Sequence, residues 1–145
     1  MKFEELPQSF RDEMKALLGG DYEEYAASFE AGRIFGLRVN TWKTEPEFLE
    51  EQLPFHMSAV PWTDNGFYYE EEDRPSRNPF YYAGLYYLQE PSAMAPAALL
   101  PVRPGDRVLD LCAAPGGKST ELGARLKGEG LFFLMISAIQ GQRPF

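Results

Sequence analysis

The stretch "RVLDLCAAPGGKST", Arg107 to Thr120, decides how this chain is to be read. It opens as a short apolar run closed by Asp110, continues through small residues from Cys112 to Gly117, and ends polar. "PGDRVLDLC" predicts a turn feeding a strand, and "GGKSTELGARLKGEG" predicts a helix with a Gly- and Lys-rich exit. "LFFLMI" predicts a second buried strand. Strand, helix and strand at this spacing make a βαβ unit, the opening of an α/β fold with a parallel sheet.

Two ligands compete for the turn between strand and helix. A phosphate loop, G-x-x-x-x-G-K-[ST], needs a glycine five residues before Gly117, where this chain has Cys112. That glycine opens the loop around a bulky anion, so its absence argues against ATP or GTP. The dinucleotide pattern G-x-G-x-x-G fails as well, because the turn holds only Gly116 and Gly117. What remains is an acid at a strand's end followed by Cys112, Ala113, Ala114, Pro115, Gly116 and Gly117. Little side-chain bulk lets backbone approach a ligand at the C-terminal edge of the sheet, where open α/β folds bind. Asp110 supplies a negative charge suited to a cationic ligand such as the ammonium of S-adenosylmethionine. The helix start at Gly117-Lys118 supplies donors for a carboxylate, and Lys118 could touch that carboxylate or simply face solvent.

Outward from this stretch, "YYAGLYYLQEPSAMAPAALLP" carries tyrosines that suit either packing or base stacking, packing being the commoner use. Pro91 fits the first turn of a helix bearing Met94, Ala97, Ala98 and Leu100, with Pro96 a disturbance inside it. "EEEDRPSRNP" has the look of a charged surface linker. Before it, "MSAVPW" and "GFYYEE" form a hairpin across "TDNG", "IFGLRVNTW" is a strand, and "TEPEFLEEQL" is a helix with Thr44 and Glu47 as a capping box. Two short helices open the chain. One carries Phe10, Met14, Leu17 and Leu18 on a face; the other is capped by Asp21, carries Tyr22, Tyr25, Ala26 and Phe29, and leaves at Gly32.

Charge is unevenly spread over the 145 residues, whose net charge is −8. Residues 1–78 hold 8 Lys/Arg against 17 Asp/Glu, and residues 79–145 hold 6 against 5. No broad basic footprint marks a nucleic-acid binder, so such a role rests on local patches or on residues outside these. Cys112 is the single cysteine, which excludes an internal disulfide and suits a reducing compartment. No apolar run approaches the roughly 18 residues of a membrane span, and no leader is visible, so a cytoplasmic chain without membrane contact is expected. His56 has no partners spaced as ligands, and no metal is expected.

"DLCAAPGGKS" closely resembles motif I of the Nop/Sun family of RNA cytosine-5 methyltransferases. "YYLQEPSAM" resembles the segment before the fold in those enzymes, and "LRVNTWK" their N-terminal signature. The order and spacing of all three match up to about Gly130, with the strongest likeness to bacterial small-subunit rRNA methyltransferases of the RsmF type. The resemblance implies a small α+β N-terminal domain over residues 1–78. From residue 79 to 145 it implies the first βαβ unit of a Rossmann-like class I methyltransferase fold. It also implies S-adenosyl-L-methionine as cofactor, held by Cys112 through Lys118 with Asp110 supporting the loop from the strand, and small-subunit rRNA as partner. Family enzymes attack cytosine C6 with a cysteine thiolate from a later strand. Cys112 matches the loop, not that nucleophile, and is expected to be a small buried residue. The catalytic cysteines are then expected beyond this chain, which would be inactive alone; a non-catalytic RNA- or ribosome-binding module is the alternative.

In the family the second strand ends in an acid that binds the cofactor ribose, but "LFFLMISAIQGQRPF" contains none. One permitted back-translation of its last twelve residues, read two bases on, gives Asn-Asp-Ile-Ser-His-Thr-Arg-Pro-Lys-Ala-Leu. That peptide matches the family pattern, so the segment from about residue 132 is expected to be read out of frame. A lone βαβ unit is also expected to leave apolar strand surface uncovered.

Overall fold

The computed structural model describes residues 3–136. The out-of-frame reading concerns residues 132–145, of which 137–145 lie outside the described residues. The chain divides into two compact units, one up to Arg33 and one from Ile34 onward.

The first unit is a pair of helices, α1 (Gln8–Leu18) and α2 (Tyr22–Ser28), closed by an aromatic cluster. Phe3, 5% exposed, sits edge-on to Tyr22, Tyr25 and Phe29 with ring centroids 5.7, 5.9 and 5.1 Å away. The α2 face is therefore the one its periodicity indicates, but its partner is Phe3 in a short 3-10 turn. Leu17 is exposed, and the expected α1 stripe is not packed along its whole length. Asp21 makes no side-chain cap, because it lies in a 3-10 turn with helical backbone angles that run straight into α2.

The second unit is built on β1 (Phe35–Val39), followed by α3 (Pro46–Gln52), the hairpin β2 (Ser58–Ala59) and β3 (Gly66–Tyr69), α4 (Pro79–Tyr82) and β4 (Tyr86–Leu88). The strands form one antiparallel sheet in the order β2-β3-β1-β4. The α3 helix starts one residue later than its expected box: Pro46 takes the first helical position and Glu45 the cap, so the Thr44 hydroxyl points at the Glu45 carbonyl instead. The "EEEDRPSRNP" segment is ordered into two 3-10 turns, and its Pro75 is buried under Tyr86, whose hydroxyl donates to the Pro75 carbonyl at 2.7 Å. Burial pushes the Tyr86 phenol up to about 12, with Tyr69 and Tyr81 adding to the shift. The sheet thus gains its fourth strand beyond the boundary expected near Asn78, and neither compact unit ends there.

Register assigns the two faces of this sheet. Leu37 pairs with Phe67 and Leu88, and Val39 with Tyr86. These side chains join Leu49, Leu53 and Met57 in the core. The opposite face shows Gly36, Arg38 and Gly66, and α5 (Pro91–Leu99) crosses it. Glycine is needed at both strand positions, because a Cβ on Gly36 would lie 2.7 Å from the Gln89 backbone carbonyl, and one on Gly66 would meet Thr63 Cγ2 and lie 2.7 Å from Met94 Sδ. Met94 is 1% exposed in that saddle. Of the tyrosines near β4, Tyr86 is core and Tyr82 is exposed.

A second sheet follows. β5 (Arg107–Asp110) and β6 (Leu131–Leu134) are parallel and joined by α6 (Gly117–Leu126), the expected strand–helix–strand unit. α6 covers the Val108/Phe132 side, with Gly123 against the Phe132 ring. The register partners Leu109 and Phe133 are 59% and 57% exposed, so one face of this sheet is bare. Among the described residues no helix is long and apolar enough to cross a membrane.

Candidate functional site

Asp110 ends β5 and anchors the loop that follows. It is 8% exposed, and both carboxylate oxygens have protein donors: the Cys112 amide to Oδ1 at 2.9 Å and the Ser119 hydroxyl to Oδ2 at 2.6 Å. Ser119 Oγ also lies 3.2 Å from the Ala113 carbonyl. One carboxylate therefore ties the start of the loop to the first turn of α6. Hydrogen bonds to an ionised acceptor are roughly twice as strong as neutral ones, which suits a loop that must hold its shape without side-chain bulk. Ser119 is absent from the sequence-level candidates, since no spacing rule joins a strand-end acid to a serine nine residues on.

The adjacent glycines answer to different demands. Gly116 has φ +113°, a backbone region closed to most side chains, and nothing stands nearer than 4.0 Å to where its Cβ would be. Gly117 has ordinary backbone, but a Cβ there would lie 3.0 Å from Gln89 Nε2 and 3.5 Å from the Tyr87 ring. Its smallness accommodates side chains from β4 and the residue after it.

The structure brings Asp110, Cys112 and Lys118 to one cavity of about 260 Å³, walled by Leu111, Leu122 and the α5 residue Ala97. Ala113 is buried, whereas Ala114 and Pro115, joined by a cis peptide bond, are exposed. Cys112 is exposed, not buried: its amide is held by Asp110, and the residue lines the cavity. Lys118 is exposed too.

Behind the loop lies a buried polar cluster. Arg38, 3% exposed, donates from Nη1 to Gln89 Oε1 (2.6 Å) and the Gly117 carbonyl (2.5 Å), and from Nη2 to Thr120 Oγ1 (2.8 Å). Its Nε stands 2.9 Å from Glu121 Oε2, an ion-pair contact out of line for a hydrogen bond. Glu121, 3% exposed, also receives Arg125 Nε at 2.7 Å and Asn65 Nδ2 at 3.1 Å. Burial pushes the Arg38 guanidinium down from its ordinary value, with Glu121 chief among the opposing influences. A guanidinium starts so high that it stays charged. Arg38 comes from "LRVNTWK", Gln89 from "YYLQEPSAM" and the Gly117 carbonyl from "DLCAAPGGKS", so the three sequence signatures meet in one cluster.

The α5 cap is a further residue that local patterns missed. Glu90 accepts from the amides of Ser92 and Ala93, both at 3.1 Å, and from the Ser92 hydroxyl. The hydroxyl bond is the main cause holding its carboxyl below the ordinary value, and the two amides add to it. Glu90→Ala is expected to cost about 1 kcal/mol at neutral pH, the usual worth of an N-cap. Because the folded value is depressed, that contribution is full above the ordinary carboxylate range and fades as pH falls through the folded value. Urea titrations of wild type and Glu90→Ala should therefore converge on acidification; a constant gap would rule out the carboxylate as the cap.

A parallel strand–helix–strand unit, with a small-residue turn anchored by a strand-end acid and an antiparallel sheet packed behind it, is the opening of a Rossmann-like methyltransferase fold. The chain belongs to the family described as the N-terminal domain of 16S rRNA methyltransferase RsmF, whose model matches residues 6–91. It is 31% identical over 135 residues to ribosomal RNA small subunit methyltransferase F of Escherichia coli O157:H7, covering 86% of this chain and 28% of that protein. The Vibrio parahaemolyticus protein of the same name is 34% identical over 136 residues, covering 87% and 28%. Among solved structures, a methyltransferase homologue from Pyrococcus horikoshii superposes with a TM-score of 0.77 at 32% identity, covering 90% of this chain and 44% of that one. The chain thus spans about 28% of the length of these curated relatives. Its family is one of methyltransferases, which implies a methyl donor.

Proposed function

We propose that this chain carries the methyl-donor loop and the N-terminal part of an S-adenosylmethionine-dependent enzyme that methylates cytosine C5 of small-subunit rRNA in the cytoplasm. The observation that carries the reading is the loop from Asp110 to Lys118, braced from within and open onto a cavity. Its chemistry fits the donor. Gly116 leaves open space above its Cα, the first-turn amides of α6 have no intrahelical acceptor, as at any helix start, and Lys118 is exposed and able to meet a carboxylate. A bound donor would supply an electrophilic methyl group on a sulfonium centre. Cys112, Ala113, Ala114, Pro115, Gly116 and Gly117 would line it with backbone, and Asp110 would hold that backbone in place. Cys112 is the single cysteine of the 145 residues, so the covalent step at the base would fall to other residues of the whole protein.

Calorimetric titration of the 145-residue chain tests the reading. S-adenosylmethionine or its demethylated product is expected to bind, and ATP with magnesium is not. Binding of ATP with no response to either sulfur compound would overturn it. A response to neither would favour a non-catalytic RNA- or ribosome-binding module.

A further inference from the structure

We infer that Arg38 and Gln89 are positioning residues that set the donor loop from β1 and the residue after β4, so that loop geometry depends on residues outside the loop itself. This rests on the donor-loop reading above. Arg38 reaches the loop by two routes. It donates directly to the Gly117 carbonyl, and it donates to Thr120 Oγ1, which in turn donates to the Gly116 carbonyl at 2.9 Å. One buried guanidinium is thereby bonded directly to the Gly117 carbonyl and linked through Thr120 to that of Gly116, which also accepts the Thr120 amide at 2.9 Å. Gln89 completes the brace: its Oε1 accepts from Arg38 while its Nε2 donates to the Ala93 carbonyl of α5 at 2.8 Å. The same amide stands against Gly117, where a Cβ would fall 3.0 Å from Nε2 and 3.2 Å from Cδ.

The planar fork of arginine is required here because its nitrogens serve different partners in fixed directions: Gln89 and Gly117 from Nη1, Thr120 from Nη2, and Glu121 beside Nε. A lysine keeps the charge opposite Glu121 but has one ammonium to share among these acceptors. Tyr87 adds a ring 5.8 Å from the guanidinium, and its hydroxyl lies 3.4 Å from the Pro115 carbonyl, so β4 touches the loop directly as well.

Arg38→Lys and Gln89→Ala separate positioning from bulk stability. Hydrogen exchange of the 145-residue chain is expected to rise about tenfold over residues 111–120 in Arg38→Lys, the scale of one lost charge-assisted bond, while α3 and β3 keep wild-type rates. Gln89→Ala is expected to do the same to a smaller degree and to relieve the clash in Gly117→Ala, so that the double variant exchanges like Gln89→Ala alone. S-adenosylhomocysteine affinity should fall in parallel. Wild-type exchange at 111–120 in both single variants overturns the inference, as does an increase spread evenly over the second unit. If wild type itself fails to bind the sulfur ligand, the donor reading falls, and the exchange pattern still decides whether Arg38 and Gln89 position the loop.

Discussion

Glu121→Ala is expected to lower the unfolding free energy by about 3–5 kcal/mol, the range for breaking a buried ion pair by removing one partner. The size follows from what is left behind. Glu121 faces Arg38, Arg125 and Asn65, and its removal strands a guanidinium with 4% side-chain exposure that cannot move into water. Arg125 suffers less, because its side chain is 25% exposed and its Nη1 still donates to the carbonyls of Ala98 and Leu100. Desolvation is thus the dominant loss, not Coulomb attraction. The double variant Arg38→Met, Glu121→Leu removes both charges and should recover most of the loss, since apolar pairs of similar volume often replace buried ion pairs at little cost. Urea unfolding with an unchanged slope would measure both. A Glu121→Ala loss under about 1 kcal/mol would show that water reaches Arg38 and that the cluster is not dry.

The contrast between β1 and this cluster shows what local sequence carries. The run "FGLRV" alternates, and period two correctly identifies a strand whose Leu37 and Val39 face a core. The same alternation puts Arg38 on the other face, which looks solvent-bound until α6, some 80 residues later, covers it. Such coverage is a property of the tertiary fold and leaves no local mark. For the same reason "EEEDRPSRNP" resembles a linker although Tyr86 pins its Pro75. Capping errors have a different origin. At α3, Pro46 fixes the first helical residue and overrides the Thr44 box; at α2, a 3-10 turn denies Asp21 the extended backbone a cap needs. The strand, small-residue turn and helix from Arg107 to Leu126 were legible because their demands are local: small residues, a glycine at positive φ and an acid at a strand's end. The turn's brace was not, because Ser119 comes from α6, Gln89 from the connection after β4 and Arg38 from β1.

Asp110→Asn and Asp110→Ala should part company, and the way they do so assigns the carboxylate its role. Alanine removes the acceptor of the Cys112 amide and of the Ser119 hydroxyl together, an expected loss of about 2–4 kcal/mol from two bonds to one ionised group. Asparagine is nearly isosteric and can keep both links. Its Oδ1 still accepts from Cys112, and its Nδ2 can donate to Ser119 Oγ, which is free to turn its proton to the Ala113 carbonyl 3.2 Å away. The loss should then stay under about 1 kcal/mol. Since both Asp110 oxygens are already engaged by the loop, the expected result is that Asp110→Asn keeps S-adenosylhomocysteine affinity within about threefold, or roughly 0.7 kcal/mol, while Asp110→Ala loses it more than about tenfold. Calorimetry on the two variants beside their urea curves measures this. If asparagine preserves stability but abolishes binding, the negative charge itself meets the ligand, as the strand-end position first suggests. If both variants bind like wild type, the loop holds its shape without Asp110, and the brace from Arg38 must carry it alone.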